Sequence, residues 1–138
     1  MKFLDANIFL RFLVEPKTPQ DGPKHEATYL LFQSIEGGEA AITSELIVHE
    51  VLFVLVSKKH YGFDKATAVG MLQPLIEFRA LSVPRKRLLI EAMGLFGQYP
   101  FLDFPDAMSI VVSREDGHEL TSYDRGLSRV PGVERFEP

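Results

Sequence analysis

The sequence predicts an α/β fold with a small, mostly parallel sheet and helices on both of its faces. Three observations predict it. Strand-length apolar runs at residues 2–4, 40–42 and 80–83 are each followed by a longer stretch with helical patterning, the rhythm of parallel β-α-β units. Glycine and proline fall between these segments, and no repeat, low-complexity tract or linker interrupts them. The chain has 138 residues, 46% of them hydrophobic, which suits one domain over 1–138 with a sizeable core.

The opening strand, residues 2–4, ends at Asp5. Residues 7–14 carry apolar side chains at 8, 9, 10, 12, 13 and 14, which reads as a buried helix. Pro16, Pro19, Gly22 and Pro23 make a loop. Residues 24–36 read as a helix with Ala27, Leu30, Leu31 and Ile35 on its apolar face, stopped at Gly37 and Gly38. After the second strand, Thr43 and Ser44 offer an N-cap for residues 45–57. That stretch is rich in β-branched residues, but it is too long for a buried strand, so helix is expected. Asp64 caps a helix over 65–78, in which Pro74 imposes a kink or an early stop. The third strand, 80–83, leads to a helix over 85–98 and a loop over 99–103. A helix over 107–114 follows, with Asp103 as its cap and Asp106 in its first turn, ending near Gly117. Residues 118–123 read as a strand, Asp124 opens a short helix, and residues 134–136 read as a last strand.

The chain has no cysteine. This excludes a disulfide framework and a thiolate metal site, and fits a reducing cytoplasm. Asp5 and Asn7 interrupt any signal-peptide core. The longest apolar run, 46–56, contains His49 and Glu50 and falls far short of the roughly 20 residues that span a bilayer. A soluble, cytoplasmic protein with no membrane segment is expected. The net charge of −4 argues mildly against a nucleic-acid binder. Location outweighs the sum, because acids offset by bound cations leave the remaining surface near neutral. Basic residues cluster at 58–60 and 85–87, with Arg11, Arg114, Arg125 and Arg129 nearer the acidic positions. Most of them read as solvated helix-face charges, and Arg125, beside Asp124, is the first candidate for a phosphate contact.

Four acids stand where charge needs an explanation: Asp5, Glu50, Asp106 and Asp124. Asp5 and Asp124 each follow a strand and precede a helix. That position suits an N-cap, and it equally suits a ligand at the carboxyl edge of an open sheet. Glu50 has Ile47, Val51, Phe53 and Val54 as helical neighbours. Its charge is either bound and paired, or lies on a wet stripe with His49 and Ser57. Asp103 and Asp106 lie one helical turn apart, where like charges repel and a cation would remove the repulsion. Asn7 is spaced to orient Asp5 or a water. Oxygen-only ligands suit Mg²⁺ or Mn²⁺ over zinc. Clustered carboxylates holding such ions activate water and stabilise both oxygens of an in-line displacement at phosphorus.

The segments containing Asp5 and Asn7, Ser44 and Glu50, Asp103 and Asp106, and Thr121 through Leu127 together resemble the successive motifs of PIN-domain ribonucleases. The group they are most similar to is the VapC-type toxins of toxin–antitoxin pairs. The resemblance covers the whole chain and implies a three-layer α/β/α fold with a small, mostly parallel central sheet. It implies an endoribonuclease dependent on Mg²⁺ or Mn²⁺, usually a homodimer, acting on RNA and held inactive by a cognate antitoxin protein. By motif, Asp5, Glu50, Asp106 and Asp124 are its catalytic and metal-binding quartet. Asn7, Ser122 and Asp103 are expected to support them, and Arg125 and Arg11, near these acids, are the residues expected to contact RNA. Asp103 falls where the family varies, so a capping or supporting role is expected there.

Other readings are a PIN-type nuclease that processes RNA without being a toxin, and a non-catalytic α/β module that binds RNA or a protein partner. A phosphatase using Asp5 as nucleophile requires a second acid two residues on, where this chain has Asn7.

Overall fold

The strands are short. In a computed structural model describing residues 1–14 and 16–138, β1 (Lys2–Phe3), β2 (Ala41–Ile42) and β3 (Leu81–Ser82) form one sheet in the order β1-β2-β3. Both pairings are parallel, with Lys2 opposite Ala41 and Ala41 opposite Leu81. Among the described residues six helices accompany them, and the α/β class is as expected. Two units, Met1–Lys86 and Arg87–Pro138, are described in turn.

In the first unit, α1 (Ala6–Leu13) packs against α2 (Gly22–Glu36) and α3 (Glu45–Val56), and α3 packs against α4 (Lys65–Ile76). Phe9, Phe32, Leu52, Leu55, Leu72 and Ile76 are fully buried. The Phe9 and Phe32 rings lie 5.4 Å apart, and Phe12 lies 4.9 Å from Phe32. The buried face of α2 keeps Ile35 of the expected set but otherwise differs: Thr28 and Phe32 point inward, Leu31 is half-buried, and Ala27 and Leu30 are exposed. Phe32 brings more apolar area than either of those residues. Thr28 is buried without loss because its hydroxyl donates to the His25 carbonyl at 2.8 Å.

The caps in this unit match the sequence. Ser44 accepts from the Ile47 N–H at the start of α3. Asp64 accepts from the Thr67 N–H at 2.8 Å and from its hydroxyl at 3.0 Å. The backbone bond is the first cause holding the Asp64 carboxyl below its ordinary value. Pro74 sits in the last turn of α4, which stops at Ile76; of the two expectations, the early stop is the one observed.

The second unit contains nearly all of α5 (Lys86–Gln98), then α6 (Phe104–Asp116) and a 3₁₀ turn over Arg125–Arg129. Helix α6 begins directly after its cap Asp103, three residues earlier than expected. It ends at Gly117, whose φ of 70° is left-handed. A Cβ there would meet nothing within 4 Å, so Gly117→Ala tests the backbone alone. We expect a loss of about 1 kcal/mol in urea denaturation, the order of the left-handed penalty; an unchanged midpoint would contradict the cap.

The two strands expected at 118–123 and 134–136 reduce to one parallel bridge, Thr121 opposite Phe136. It is closed by the Phe136 N–H donating to Leu120 O (2.8 Å) and the Ser122 N–H donating to Phe136 O (2.9 Å). His118, Glu119 and Thr121 are exposed, so this segment has no continuous buried face with which to extend a ladder. Among the described residues, no helix is long and apolar enough to cross a membrane.

Candidate active site

Asp5 has the backbone of an N-cap at the start of α1, with φ −82° and ψ 165°, yet its side chain makes no capping hydrogen bond. The carboxylate is exposed and free to face a ligand. Its position is set by the sheet. The Leu4 N–H donates to Ile42 O (2.8 Å), and the Thr43 N–H donates to Ser82 O (3.0 Å). The Thr43 hydroxyl, on a residue only 1% exposed, donates to Leu4 O at 2.9 Å. Thr43 therefore ties the ends of the three strands together, so that Asp5 and the cap of α3 leave from one sheet edge. The sequence reading took Thr43 only as part of a cap; a threonine at a strand-to-helix junction was the available signal.

Glu50 is exposed on α3, on a face it shares with Leu46 and Phe53, which are 74% and 62% exposed. Glu50 is therefore not enclosed by apolar neighbours, and it shares its exposed face with these two residues and not with the half-buried His49. Asn7 is exposed in the first turn of α1. It lines a cleft of about 230 Å³ together with Arg11, Lys17, Asp21, His25 and Tyr61. Arg11 Nη1 donates to Asp21 Oδ1 at 2.8 Å, and this bond is the first cause holding the Asp21 carboxyl low. Arg11, expected to contact RNA, thus has an internal acidic partner.

In the second unit, Asp103 and Asp106 form a reciprocal capping box. The Asp106 N–H donates to Asp103 Oδ1 at 2.8 Å, and the Asp103 N–H donates to Asp106 Oδ2 at 3.3 Å. Burial is the first cause raising the Asp106 carboxyl above its ordinary value, and the negative charges of Asp103 and Asp124 add to it. Asp124 caps the 3₁₀ turn: its Oδ1 accepts from the Gly126 N–H at 2.9 Å, while its own N–H donates to Ser122 Oγ at 3.0 Å. Ser122 therefore holds the backbone that carries Asp124. Arg125 is exposed.

Phe101 was not singled out from the sequence, yet it borders this cluster. Its ring lies 4.1 Å from the Arg129 guanidinium carbon, and a Cβ on Gly126 would come within 3.9 Å of it.

Among the described residues, no three Asp, Glu or His side chains are grouped as a ready metal cage. The second unit instead brings two carboxylates, Asp106 and Asp124, within electrostatic reach of each other. Each has one oxygen engaged in a cap and the other not. One or two carboxylates, completed by water and substrate phosphate, are the usual protein donors to Mg²⁺. The oxygen-only donors fit a hard divalent ion, which would also offset the repulsion raising the Asp106 carboxyl.

The PIN domain family profile matches residues 2–133. The chain is similar to the VapC ribonuclease Mb1869c of Mycobacterium bovis and to ribonuclease VapC13 of Mycobacterium tuberculosis. Each is 26% identical to it over 142 residues, covering 99% of this chain and 99% of the relative. The profile match runs from β1 through the acidic caps of α6 and the 3₁₀ turn, so the chain belongs to the PIN domain family.

Proposed function

We propose that this chain is a divalent-metal-dependent endoribonuclease that hydrolyses RNA phosphodiester bonds as the toxin of a toxin–antitoxin pair. The match to the PIN family over residues 2–133 carries the reading, and two relatives named as VapC ribonucleases over nearly their whole length support it. In this reading residues 1–138 form a single three-layer α/β/α domain. The protein is cytoplasmic, forms a homodimer and is silenced by a cognate antitoxin.

Asp5, Glu50, Asp106 and Asp124 are the catalytic and metal-holding residues. Asp106 and Asp124 offer the carboxylate oxygens that their caps leave unengaged, and Asp5 offers a carboxylate with no capping bond. Bound Mg²⁺ or Mn²⁺ supplies positive charge against the phosphate and makes water a stronger nucleophile. The chain's own groups do the positioning. Asp103 starts the helix that carries Asp106, Ser122 fixes the backbone of Asp124, and Asn7 flanks Asp5. Arg125 gives an exposed cation beside Asp124.

The test is cleavage of a structured RNA by the purified protein, with Mg²⁺, with Mn²⁺ and in excess chelator. Cleavage with either metal and none in chelator is expected. Cleavage that persists in chelator would overturn the metal reading, and tight RNA binding with no cleavage would favour the non-catalytic alternative. Growth arrest on induction, relieved by an adjacent small gene, separates a toxin from an RNA-processing nuclease.

Gly126 gives a finer check. A Cβ there would stand 3.1 Å from Asp124 Oδ1, and the residue does not have a positive φ. Gly126→Ala should therefore fold normally, push the Asp124 carboxylate aside and lower Mn²⁺ affinity by about tenfold, within the range seen when a ligand's support is disturbed. Wild-type affinity in this variant would show that the Asp124 orientation is unimportant.

A further inference from the structure

The second unit contains nine acidic residues, five arginines and no lysine. An RNA chain approaching its carboxylates needs a cation held nearby. Three of the arginines are already paired: Arg87 with Glu115 at 2.6 Å, Arg114 with Glu91, and Arg135 with Glu137 at 2.6 Å. Arg125 and Arg129 have no acidic partner among the described residues. They differ in how they are held. Arg125 is exposed and has no ring beneath it among the described residues, whereas the Arg129 guanidinium lies over Phe101, 4.1 Å from the ring centroid.

A stacked guanidinium uses its face on the ring and keeps its N–H donors in the plane, matched to phosphate oxygens. Stacking also restricts a flexible side chain before any ligand arrives. Phe101 is itself supported, with the Tyr99 ring 5.6 Å away. It also borders Gly126, whose N–H holds Asp124 Oδ1. Arg129, Phe101, Gly126 and Asp124 thus form one contiguous path from a free cation to a candidate metal ligand. We propose that Arg129, held on Phe101, grips an RNA phosphate next to the scissile one. Phe101 is the positioning residue for that grip. The inference rests on the nuclease reading above and adds a substrate contact to it.

The test is fluorescence anisotropy with a labelled structured RNA between 50 and 200 mM KCl, in an Asp106→Asn background that does not cleave. Arg129→Met should weaken binding by about tenfold and reduce the slope of log affinity against log salt by about one, as loss of a single phosphate contact does. Arg129→Lys should recover the slope while remaining weaker than the parent, because an ammonium neither stacks flat nor binds in a fork. Phe101→Leu should weaken binding by about threefold with the slope unchanged, since the charge remains but its platform is lost. In the cleaving protein, the loss caused by Arg129→Met should appear in KM. An unchanged salt slope in Arg129→Met, or a loss confined to kcat, overturns the inference while the parent still cleaves RNA. A parent that neither binds nor cleaves RNA fails the nuclease reading and takes this inference with it.

Discussion

Asp106→Asn should abolish RNA cleavage to within the assay, a fall of about a thousandfold or more, while the protein stays folded. That is the order lost when charge stabilisation of the transition state is removed, here by way of the cation that Asp106 would hold. The substitution is nearly isosteric, and the amide oxygen can still accept from the Asp103 N–H, so the cap on α6 survives. Stability should hold or rise. Burial and the charges of Asp103 and Asp124 raise the Asp106 carboxyl, which means that its ionised form is disfavoured in the folded state at neutral pH. Removing that charge relieves the folded state. The expected pair of results is therefore lost cleavage with an equal or higher melting temperature. Retained cleavage would remove Asp106 from the mechanism, and a cleavage loss that tracked unfolding would make its role structural.

Phe9→Ala should cost about 3–5 kcal/mol in denaturant unfolding, the usual range for deleting a buried ring. Against a typical total of about 5–15 kcal/mol, that loss threatens the fold. Phe9 is 0% exposed and its ring lies 5.4 Å from Phe32, which α2 supplies. The helix it anchors, α1, directly follows Asp5. Loosening this contact should therefore weaken catalysis beyond the fraction of protein unfolded. A loss below about 1 kcal/mol would mean that the cavity collapses or that α1 is held by other contacts.

The caps were legible from the sequence because each depends on a short side chain and an amide three residues on, or two for Asp124. Ser44, Asp64, Asp103 and Asp124 all cap as their spacing indicates. The parallel sheet was legible for a related reason, since short strands separated by helices leave few other connections. What the sequence hid was set by packing. The choice between Leu30 and Phe32 for the interior of α2 depends on what faces that helix, and composition does not report it. Glu50 looked costly inside an apolar helix, but α3 exposes Leu46 and Phe53 beside it, so one-dimensional periodicity misjudged its surroundings. The strands at 118–123 and 134–136 had strand-like residues but no buried face. Thr43 and Phe101 act through contacts with residues far away in sequence or across a turn; a strand-to-helix junction marks Thr43, and no local motif marks Phe101.

The central claim is that Asp5, Glu50, Asp106 and Asp124 serve one divalent-metal-dependent activity. The most direct test is Mn²⁺ binding followed by electron paramagnetic resonance in the wild-type protein and in Asp5→Asn, Glu50→Gln, Asp106→Asn and Asp124→Asn. The wild type should bind Mn²⁺, and each substitution should weaken binding by at least about tenfold, the lower bound for disturbing even a supporting group. Equal Mn²⁺ affinity in the wild type and all four variants would contradict the account.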